Sequence, residues 1–227
     1  MRAVFFGSIG TLAETSELQR YAFNKAFVVH GLPWIWGRGT YRQMLGESGG
    51  QRRIERYAEK RGVRVDAAAI HATKSEFFQK ELAARPLPPR IGVVPTINRI
   101  TDSGLAIALV TTTSPNNVAQ ILDALQGSVT STTFDHIITA DDVARGKPDP
   151  ECYGVAAKRL GVEPADCLII EDNPDGVLAA SRFGATVLAF PGANTTNGDY
   201  RPADVICRSD LHDAIRHLLD GPLQGAA

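Results

Sequence analysis

The sequence predicts an α/β fold, a doubly wound, mostly parallel sheet with an inserted, all-helical segment. Short apolar runs typical of buried strands alternate with amphipathic helical patterns over the second half of the chain, which favours parallel pairing with helices on both faces. One apolar run, RAVFF (2–6), precedes that region. Between the two, the apolar residues keep a helical spacing as far as the Pro-rich stretch RPLPPR (85–90).

The helical segment begins soon after the first strand. Ser16 and Gln19 have the spacing of a capping box, and apolar residues recur at helical intervals from there to Val29. Gly31 follows at a position where helices commonly end. The same spacing predicts further helices at 40–45, 50–61 and 66–84, and the prolines at 85–90 indicate a linker.

Strands and helices alternate in the second half. A helix at 93–102 precedes the strand LAIALVT (105–111), and Ser114 then caps a helix whose first residue is Pro115, the position that proline favours. The later strands are short apolar runs and the later helices are amphipathic. These patterns predict strands at 136–140, 167–171, 185–190 and 204–207, and helices at 149–160, 174–183 and 209–219.

Composition excludes several classes of protein. The formal net charge of −1 gives no overall basic field that would attract nucleic acid or an anionic membrane, and no apolar run approaches the ~20 residues that span a bilayer. The N-terminus lacks the features of a signal peptide, so we expect a cytoplasmic protein, and nothing requires more than a monomer. Cys152, Cys167 and Cys207 have no metal-site spacing and are expected to be free thiols.

Four segments lie near the predicted ends of strands, at 7–11, 111–114, 145–148 and 171–175. In a doubly wound sheet, ligands bind at the carboxyl ends of the strands. We therefore expect these segments to converge in space although they are far apart in the sequence.

Hydroxyl groups and one lysine point to a phosphate. Thr111, Thr112, Thr113 and Ser114 open a predicted helix, and hydroxyls with backbone N–H groups at a helix N-terminus suit that anion. Lys147, in the Pro-stiffened stretch GKPDP, is a plausible partner for it. The alternatives are that the threonines only end a strand, that Ser114 is only an N-cap, and that Lys147 is a solvated charge.

Adjacent carboxylates are the sharpest feature of the sequence. Glu171 and Asp172 directly follow a buried apolar run, with Asp175 close behind. Carboxylates at such a position are costly unless they are solvated or paired with a cation, and Mg²⁺ prefers oxygen ligands. The alternative is that Asp172 or Asn173 caps the next helix while Glu171 faces water.

In this order the four segments resemble the motifs of the haloacid dehalogenase (HAD) superfamily of phosphatases. Thr111 matches the hydroxyl residue of the second motif, Lys147 the lysine of the third, and Glu171 with Asp172 the acidic pair of the fourth, in a stretch similar to the family's EDSxxGxxAAxxAG. The resemblance implies a Rossmann-like HAD core with an inserted all-helical C1 cap of subfamily I. The core would comprise residues 1–13 and 87–227, and the cap residues 14–86.

Three stretches resemble the CbbY-type phosphatases, which act on sugar bisphosphates. They are TLAETSELQRYAFN (11–24), GLPWIWGRGTYRQMLGESGGQRRI (31–54) and VTTTSPNNV (110–118). The resemblance implies a phosphorylated pentulose such as xylulose 1,5-bisphosphate. The chain departs from the group at 48–51, where the group usually has T-G-G-K and this chain has Ser48 and Gln51 at the first and last positions. With Gln51 in place of the lysine, one cationic contact to the distal phosphate is lost. The candidate cap contacts are Glu17, Arg20, Arg42, Gly50, Arg52 and Arg53, for which a solvated helix face is the alternative.

The resemblance breaks at the first motif, a strand followed by D-x-D-G-T-L. The first aspartate falls on Gly7 and the second on Ile9, whereas residues 10–12 match. In the family the first aspartate is the nucleophile and a Mg²⁺ ligand, and the second is the general acid/base. Glycine has no group to attack phosphorus, and isoleucine cannot supply the proton transfer that is typically worth ~10²–10⁴-fold.

The remaining metal ligands would be the Ile9 backbone carbonyl, Asp172, Glu171 through water, and any bound phosphate, so Mg²⁺ binding is expected to be weak or absent. Ser8 occupies the middle position of the motif, and its side chain is expected to point elsewhere. Asp175 is at most a weak base acting through water.

Three hypotheses follow. The first is a HAD-fold pseudophosphatase that binds a phosphorylated sugar, or acts through an unidentified protein partner, without aspartyl-phosphate chemistry. The second is an active Mg²⁺-dependent sugar-phosphate phosphatase that uses a non-standard nucleophile or a metal-bound water. The third is a structural relic with no ligand.

Overall fold

The computed structural model describes residues 1–46 and 49–219; Ser48, at the predicted departure from the CbbY-type pattern, lies outside the described residues. Six parallel strands form one sheet in the order β3-β2-β1-β4-β5-β6, which confirms the predicted doubly wound fold. The strands are β1 (Ala3–Phe6), β2 (Ala106–Val110), β3 (His136–Ile138), β4 (Cys167–Glu171), β5 (Thr186–Ala189) and β6 (Val205–Ile206).

The predicted helices form with ends shifted by at most two residues. The helix α1 (Ile9–Leu12) and short 3₁₀ turns at Ser131–Thr133, Ala140–Asp142 and Pro164–Asp166 were not predicted. The other helices are α2 (Ser16–Val29), α3 (Arg38–Met44), α4 (Gly50–Glu59), α5 (Ala67–Ala84), α6 (Val93–Asp102), α7 (Pro115–Ala124), α8 (Glu151–Leu160), α9 (Pro174–Phe183) and α10 (Leu211–Leu219).

Helices cover both faces of the sheet, and the side chains of each strand alternate between the two faces. Val4 and Phe6 of β1 belong to a core shared with α6, α7 and α10, whereas Ala3 and Phe5 belong to the opposite core shared with α8 and α9. Each fully buried large apolar side chain contributes roughly 1.5–3 kcal/mol. The two cores therefore hold β1, and the loop that follows it, at the centre of the molecule.

Helices α2–α5 enclose an aromatic cluster of their own. Phe23 and Phe27 of α2 each lie 4.7 Å, between ring centroids, from Trp36, and Trp34 and Tyr41 complete the contacts. The two chain connections between this cluster and the sheet run side by side, since Ala13 and Pro89 form an antiparallel bridge. No helix within residues 1–46 and 49–219 combines the length and apolarity needed to cross a membrane.

The N-terminus of α2 differs from the prediction. Ser16 is the first helical residue and Thr15 precedes it, without a side-chain cap bond, so the predicted Ser16–Gln19 capping box is wrong. The Gln19 amide is used elsewhere: its Nε2 donates to Thr15 Oγ1 at 3.0 Å and its Oε1 accepts from Lys74 Nζ at 3.2 Å. The predicted free thiols are confirmed, and all three are buried.

Candidate functional site

The predicted segments converge at the carboxyl ends of three neighbouring strands. Lys147 Nζ donates to the carbonyl oxygens of Gly7 and Val110 and, at 2.6 Å, to Glu171 Oε1. The register of the strands explains why these segments converge, because Phe6 at the end of β1 pairs with Leu109 of β2 and Ile170 of β4. Loops after these three strands must therefore emerge at one edge of the sheet.

A cavity of about 710 Å³ lies between this edge and helices α2, α4 and α5. Its helical wall carries Arg52, Arg53, Lys74 and one carboxylate, Glu55, whereas Asp172 is the acidic side chain of the sheet wall among the described residues. The two neighbouring guanidinium groups of Arg52 and Arg53 favour an anionic ligand group at the helical wall. Of the site residues predicted from the sequence, those that line the cavity are Ile9, Thr111, Thr112, Thr113, Ser114, Asp172, Gly50, Arg52 and Arg53.

Lys147 and Glu171 lie beneath the cavity as a buried ion pair. They are 3% and 0% exposed and are not among the residues that line the cavity. Tyr153 Oη donates to Glu171 Oε1 at 2.6 Å, and the Asp172 backbone N–H donates to Oε2 at 3.1 Å. Burial raises the pKa of Glu171, and the Lys147 ammonium opposes that effect. The predicted phosphate partner Lys147 is thus already neutralised by protein groups.

The absence of a side chain at Gly7 leaves the space that the Glu171 carboxylate occupies. A Cβ on Gly7 would lie 2.5 Å from Glu171 Oε1 and 2.6 Å from its Cγ, closer than real contacts allow. Any side chain at position 7 must therefore displace Glu171 from Lys147. The space in which a side chain of residue 7 would begin is filled by a carboxylate from another strand.

Ser8 does not follow the prediction that its side chain points elsewhere. Its Oγ donates to Asp172 Oδ1 at 2.6 Å, and both residues line the cavity. The expectation was wrong because Ser8 has extended backbone geometry immediately before α1, which carries its side chain toward the loop after β4. Asn173 Nδ2 also donates to Asp172 Oδ1, at 2.9 Å, so two polar side chains hold this carboxylate.

The hydroxyls of the threonine segment can still donate to a ligand, because those with partners here only accept hydrogen bonds. Ser114 Oγ caps α7 by accepting from the Asn117 N–H at 3.4 Å, and Thr111 Oγ1 accepts from the Thr113 N–H at 3.2 Å. Within residues 1–46 and 49–219, Thr112 Oγ1 forms no hydrogen bond. A Cβ on Gly146 would lie 3.8 Å from both Thr112 Cβ and Arg52 Nη2, so this guanidinium reaches the sheet wall beside Thr112.

Glu17, Arg20 and Arg42 lie outside the set of residues that line the cavity. Glu17 accepts hydrogen bonds from Arg20 at 2.9 Å and Asn194 at 2.8 Å. Burial disfavours its charged form, but hydrogen bonds from Arg20, Asn194 and Arg38 outweigh that effect and lower its pKa to about 2. Arg42 Nε donates to Asn194 Oδ1 at 2.8 Å. Asn194, in the loop after β5, thus joins α2 and α3 to the sheet side.

Replacing this bridge is expected to loosen α3. Asn194→Ala removes the partner of both Glu17 and Arg42 and should lower the free energy of unfolding by about 1–3 kcal/mol, with faster amide hydrogen exchange in Arg38–Met44. Asn197→Ala, at an exposed position in the same loop, is the control and should change neither. Unchanged exchange in α3 of the Asn194 variant would show that this bridge does not hold the helix.

The residues present do not fit a tight Mg²⁺ site. No group of three or more His, Cys, Asp or Glu side chains within the described residues is placed to hold a metal ion. Lys147 and Tyr153 share Oε1 of Glu171, and the Ile9 carbonyl already accepts the Ala13 N–H at 3.1 Å. Among the described residues, the carboxylates that line the cavity are Asp172 on the sheet wall and Glu55 on the helical wall, whereas Mg²⁺ usually needs near-octahedral oxygen coordination.

Comparison with known proteins places the chain in a family. Residues 1–184 match the family of haloacid dehalogenase-like hydrolases. The chain belongs to that family. This HAD-like chain is 35% identical over 207 residues to Protein CbbY of Rhodobacter capsulatus, which covers 90% of this chain and 91% of the relative. It is 31% identical over 223 residues to the putative phosphatase YhcW of Bacillus subtilis, covering 97% of both chains.

Solved structures agree with this assignment. The HAD-like chain resembles the crystal structure of CbbY from Rhodobacter sphaeroides in complex with phosphate, with a TM-score of 0.83 and 34% identity, covering 92% of this chain and 94% of the other. A mutant of that protein in complex with xylulose-(1,5)bisphosphate has a TM-score of 0.84 over the same shares. The chain is therefore a CbbY-like homologue of HAD phosphatases.

Sequence reasoning missed Lys74, Asn194 and the Ser8–Asp172 contact. Lys74 carried a detectable signal, since it falls in the apolar stripe of α5 with Ile70 and Phe78 at intervals of four residues. Asn194 lies in an irregular loop and carried no such signal.

Proposed function

We propose that this HAD-like protein is a pseudophosphatase that binds a phosphorylated sugar and forms no aspartyl-phosphate. The observation that carries the proposal is the pair Gly7 and Glu171. Position 7 has no side chain, and the Glu171 carboxylate that occupies its space is buried and bound to Lys147. A carboxylate with its oxygens bound to protein donors and no exposed surface cannot attack a phosphorus atom in the cavity.

Phosphate binding is supported by the charge and shape of the cavity. Arg52 and Thr112 both lie beside Gly146, and a guanidinium and a hydroxyl suit a phosphate group. Because positions 7 and 9 carry no carboxylates, an anion there meets less repulsion than it would with both aspartates present. The ligand class follows the relative that was crystallised with xylulose-(1,5)bisphosphate.

In this proposal, residues 14–86 act as a C1 cap over a core made of residues 1–13 and 87–227. The separate aromatic cluster of α2–α5 supports that division. Glu17, Arg20 and Arg42 would hold the cap to the core rather than contact the ligand. Weak or absent Mg²⁺ binding, a cytoplasmic location, a monomeric state, and the lack of nucleic-acid and membrane partners remain predictions from the sequence.

A second candidate function rests on the contact between Ser8 and Asp172. A serine hydroxyl that donates to a carboxylate at 2.6 Å inside the cavity has the arrangement of a nucleophile and its base. Ser8 Oγ would form the bond to phosphorus as Asp172 takes its proton, and the bond from phosphorus to the sugar oxygen would break as Asp172 passes that proton to the departing oxygen. Water would then hydrolyse the phosphoserine. This would make the protein a working phosphatase.

A phosphate-release assay distinguishes the two. With xylulose 1,5-bisphosphate and Mg²⁺, we expect no turnover above background from the native chain, and Mg²⁺-dependent turnover from Gly7→Asp/Ile9→Asp, since that variant restores a nucleophile and an acid/base. Gly7→Asn/Ile9→Asp is the matched control, equal in size but without the nucleophile. Native turnover that Ser8→Ala abolishes would replace the pseudophosphatase with the second candidate.

Binding is tested separately by thermal unfolding. At about 100 times its Kd, xylulose 1,5-bisphosphate should stabilise the native chain by about 2.7 kcal/mol. Arg52→Gln should weaken this stabilisation, whereas Arg56→Gln, at an exposed position on the same helix that does not line the main cavity, should retain it. No stabilisation by any sugar phosphate would favour a relic without a ligand.

A further inference from the structure

A buried lysine on the helical wall of the cavity has no role so far. Lys74 of α5 is 4% exposed, and its Nζ lies 5.0 Å from the ring centroid of Phe23 and 4.8 Å from that of Phe78. Its hydrogen bond goes to Gln19 Oε1, at 3.2 Å, and Thr15 holds the Gln19 amide in turn. The amine is therefore fixed in orientation at the edge of the cavity, between two apolar rings.

The surroundings of Lys74 disfavour the ammonium form. Among residues 1–46 and 49–219, no carboxylate lies within ion-pair distance of its Nζ. Arg53, from α4, is the cation that acts on it, and His71 precedes it by one turn on the same helix. Burial and then Arg53 lower the pKa of Lys74 to about 7, and burial, Lys74 and Arg53 lower the pKa of His71 to about 4. Lysines activated in this way serve as nucleophiles toward carbonyl groups.

We propose that Lys74 forms a reversible imine with the carbonyl group of a phosphorylated aldose or ketose held in the cavity. The ligand class rests on the proposed function above. The Nζ lone pair forms a bond to the carbonyl carbon as the C=O π bond opens and its oxygen takes a proton. Loss of water from this carbinolamine gives the C=N bond. Hydrolysis reverses the step, and no oxidant or reductant takes part.

The cavity accommodates both ends of such a ligand. Arg52 and Thr112 lie where a phosphate would bind, and Lys74 lines the same 710 Å³ space from α5. A sugar phosphate could then be retained covalently at its carbonyl carbon while its phosphoester stays intact. The protein would thus bind its ligand covalently although Gly7 supplies no nucleophile to attack the phosphate.

Reductive trapping with pyridoxal 5′-phosphate, an aldehyde that carries a phosphate, tests the proposal. Borohydride should fix one adduct per chain, which peptide mass mapping should locate at Lys74. At pH 7 a lysine of pKa about 7 has roughly a thousandfold larger neutral fraction than an exposed one, so its labelling should be correspondingly selective. Lys74→Met should abolish the adduct, and Lys80→Met, at an exposed position on the same helix, should retain it.

A second measurement separates this proposal from the proposed function. The native chain is incubated with xylulose 1,5-bisphosphate and cyanoborohydride, and both thermal stabilisation and the mass of the Lys74 peptide are recorded. An adduct at Lys74 supports the imine. Stabilisation without an adduct would overturn the imine and leave sugar-phosphate binding intact. The absence of both stabilisation and adduct would overturn both proposals. Labelling spread evenly over Lys25, Lys60 and Lys80 would also overturn the imine.

Discussion

Replacing Glu171 by alanine is expected to lower the free energy of unfolding by about 3–5 kcal/mol, one of the largest effects available in this chain. The carboxylate is fully buried and is the ion-pair partner of Lys147, which is 3% exposed. Its removal leaves the Lys147 ammonium with the carbonyl oxygens of Gly7 and Val110 and the ring of Tyr153 but without its counter-charge, and it leaves the Tyr153 hydroxyl without its acceptor. An uncompensated buried charge is costly in a way that the loss of a surface ion pair is not.

Urea unfolding followed by circular dichroism measures this loss. Glu163→Ala, which removes an exposed carboxylate shortly before the same strand, is the control and should stay within about 0.5 kcal/mol of the native chain. Glu171→Ala/Lys147→Met removes both charges and should recover much of the loss, because no uncompensated buried charge remains. If Glu171→Ala lowers the free energy of unfolding no more than the control does, Glu171 is not the counter-ion of Lys147. The space beside Gly7 would then not be required for that ion pair.

The fold was predictable because its signals are local. A buried parallel strand such as Cys167–Glu171 is a continuous apolar run, and the helix after it begins with a proline behind an asparagine cap. The convergence of Thr111, Lys147 and Asp172 also followed from topology, since the carboxyl ends of adjacent parallel strands share one edge.

Side-chain partners across that edge could not be predicted. Glu171 turns away from the cavity to bind Lys147 because the absent side chain of Gly7 leaves room for it, and Ser8 turns toward Asp172 from an extended backbone. That space depends on residues from different strands at once. The spacing of residues in a sequence predicts which side chains are neighbours on the same helix or strand. It therefore identified residues of the site but not which of them contact each other.

Substitution of Lys74 by methionine is expected to stabilise the protein, by about 3–4 kcal/mol at pH 6. Methionine fits beside Phe23 and Phe78 and carries no charge, whereas the native lysine must be desolvated. The pKa of Lys74 falls from its ordinary value of 10.5 to about 7 in the folded chain. At a pH below both of these pKa values, the difference lowers the free energy of unfolding of the native chain by up to about 5 kcal/mol. The methionine variant regains this free energy but loses about 1 kcal/mol with the hydrogen bond to Gln19.

The pH dependence has a definite sign. Between pH 7 and pH 10.5 the unfolded chain binds the proton of Lys74 and the folded chain does not, so the native protein gains stability from this lysine's titration as pH rises through that window. The advantage of Lys74→Met should therefore be largest at pH 6 and shrink steadily by pH 9.5 in urea unfolding, whereas Lys80→Met should match the native chain at every pH. An advantage that is absent, or constant across this range, would mean that Lys74 stays charged in the fold. The amine would then lack the free lone pair at neutral pH that imine formation requires.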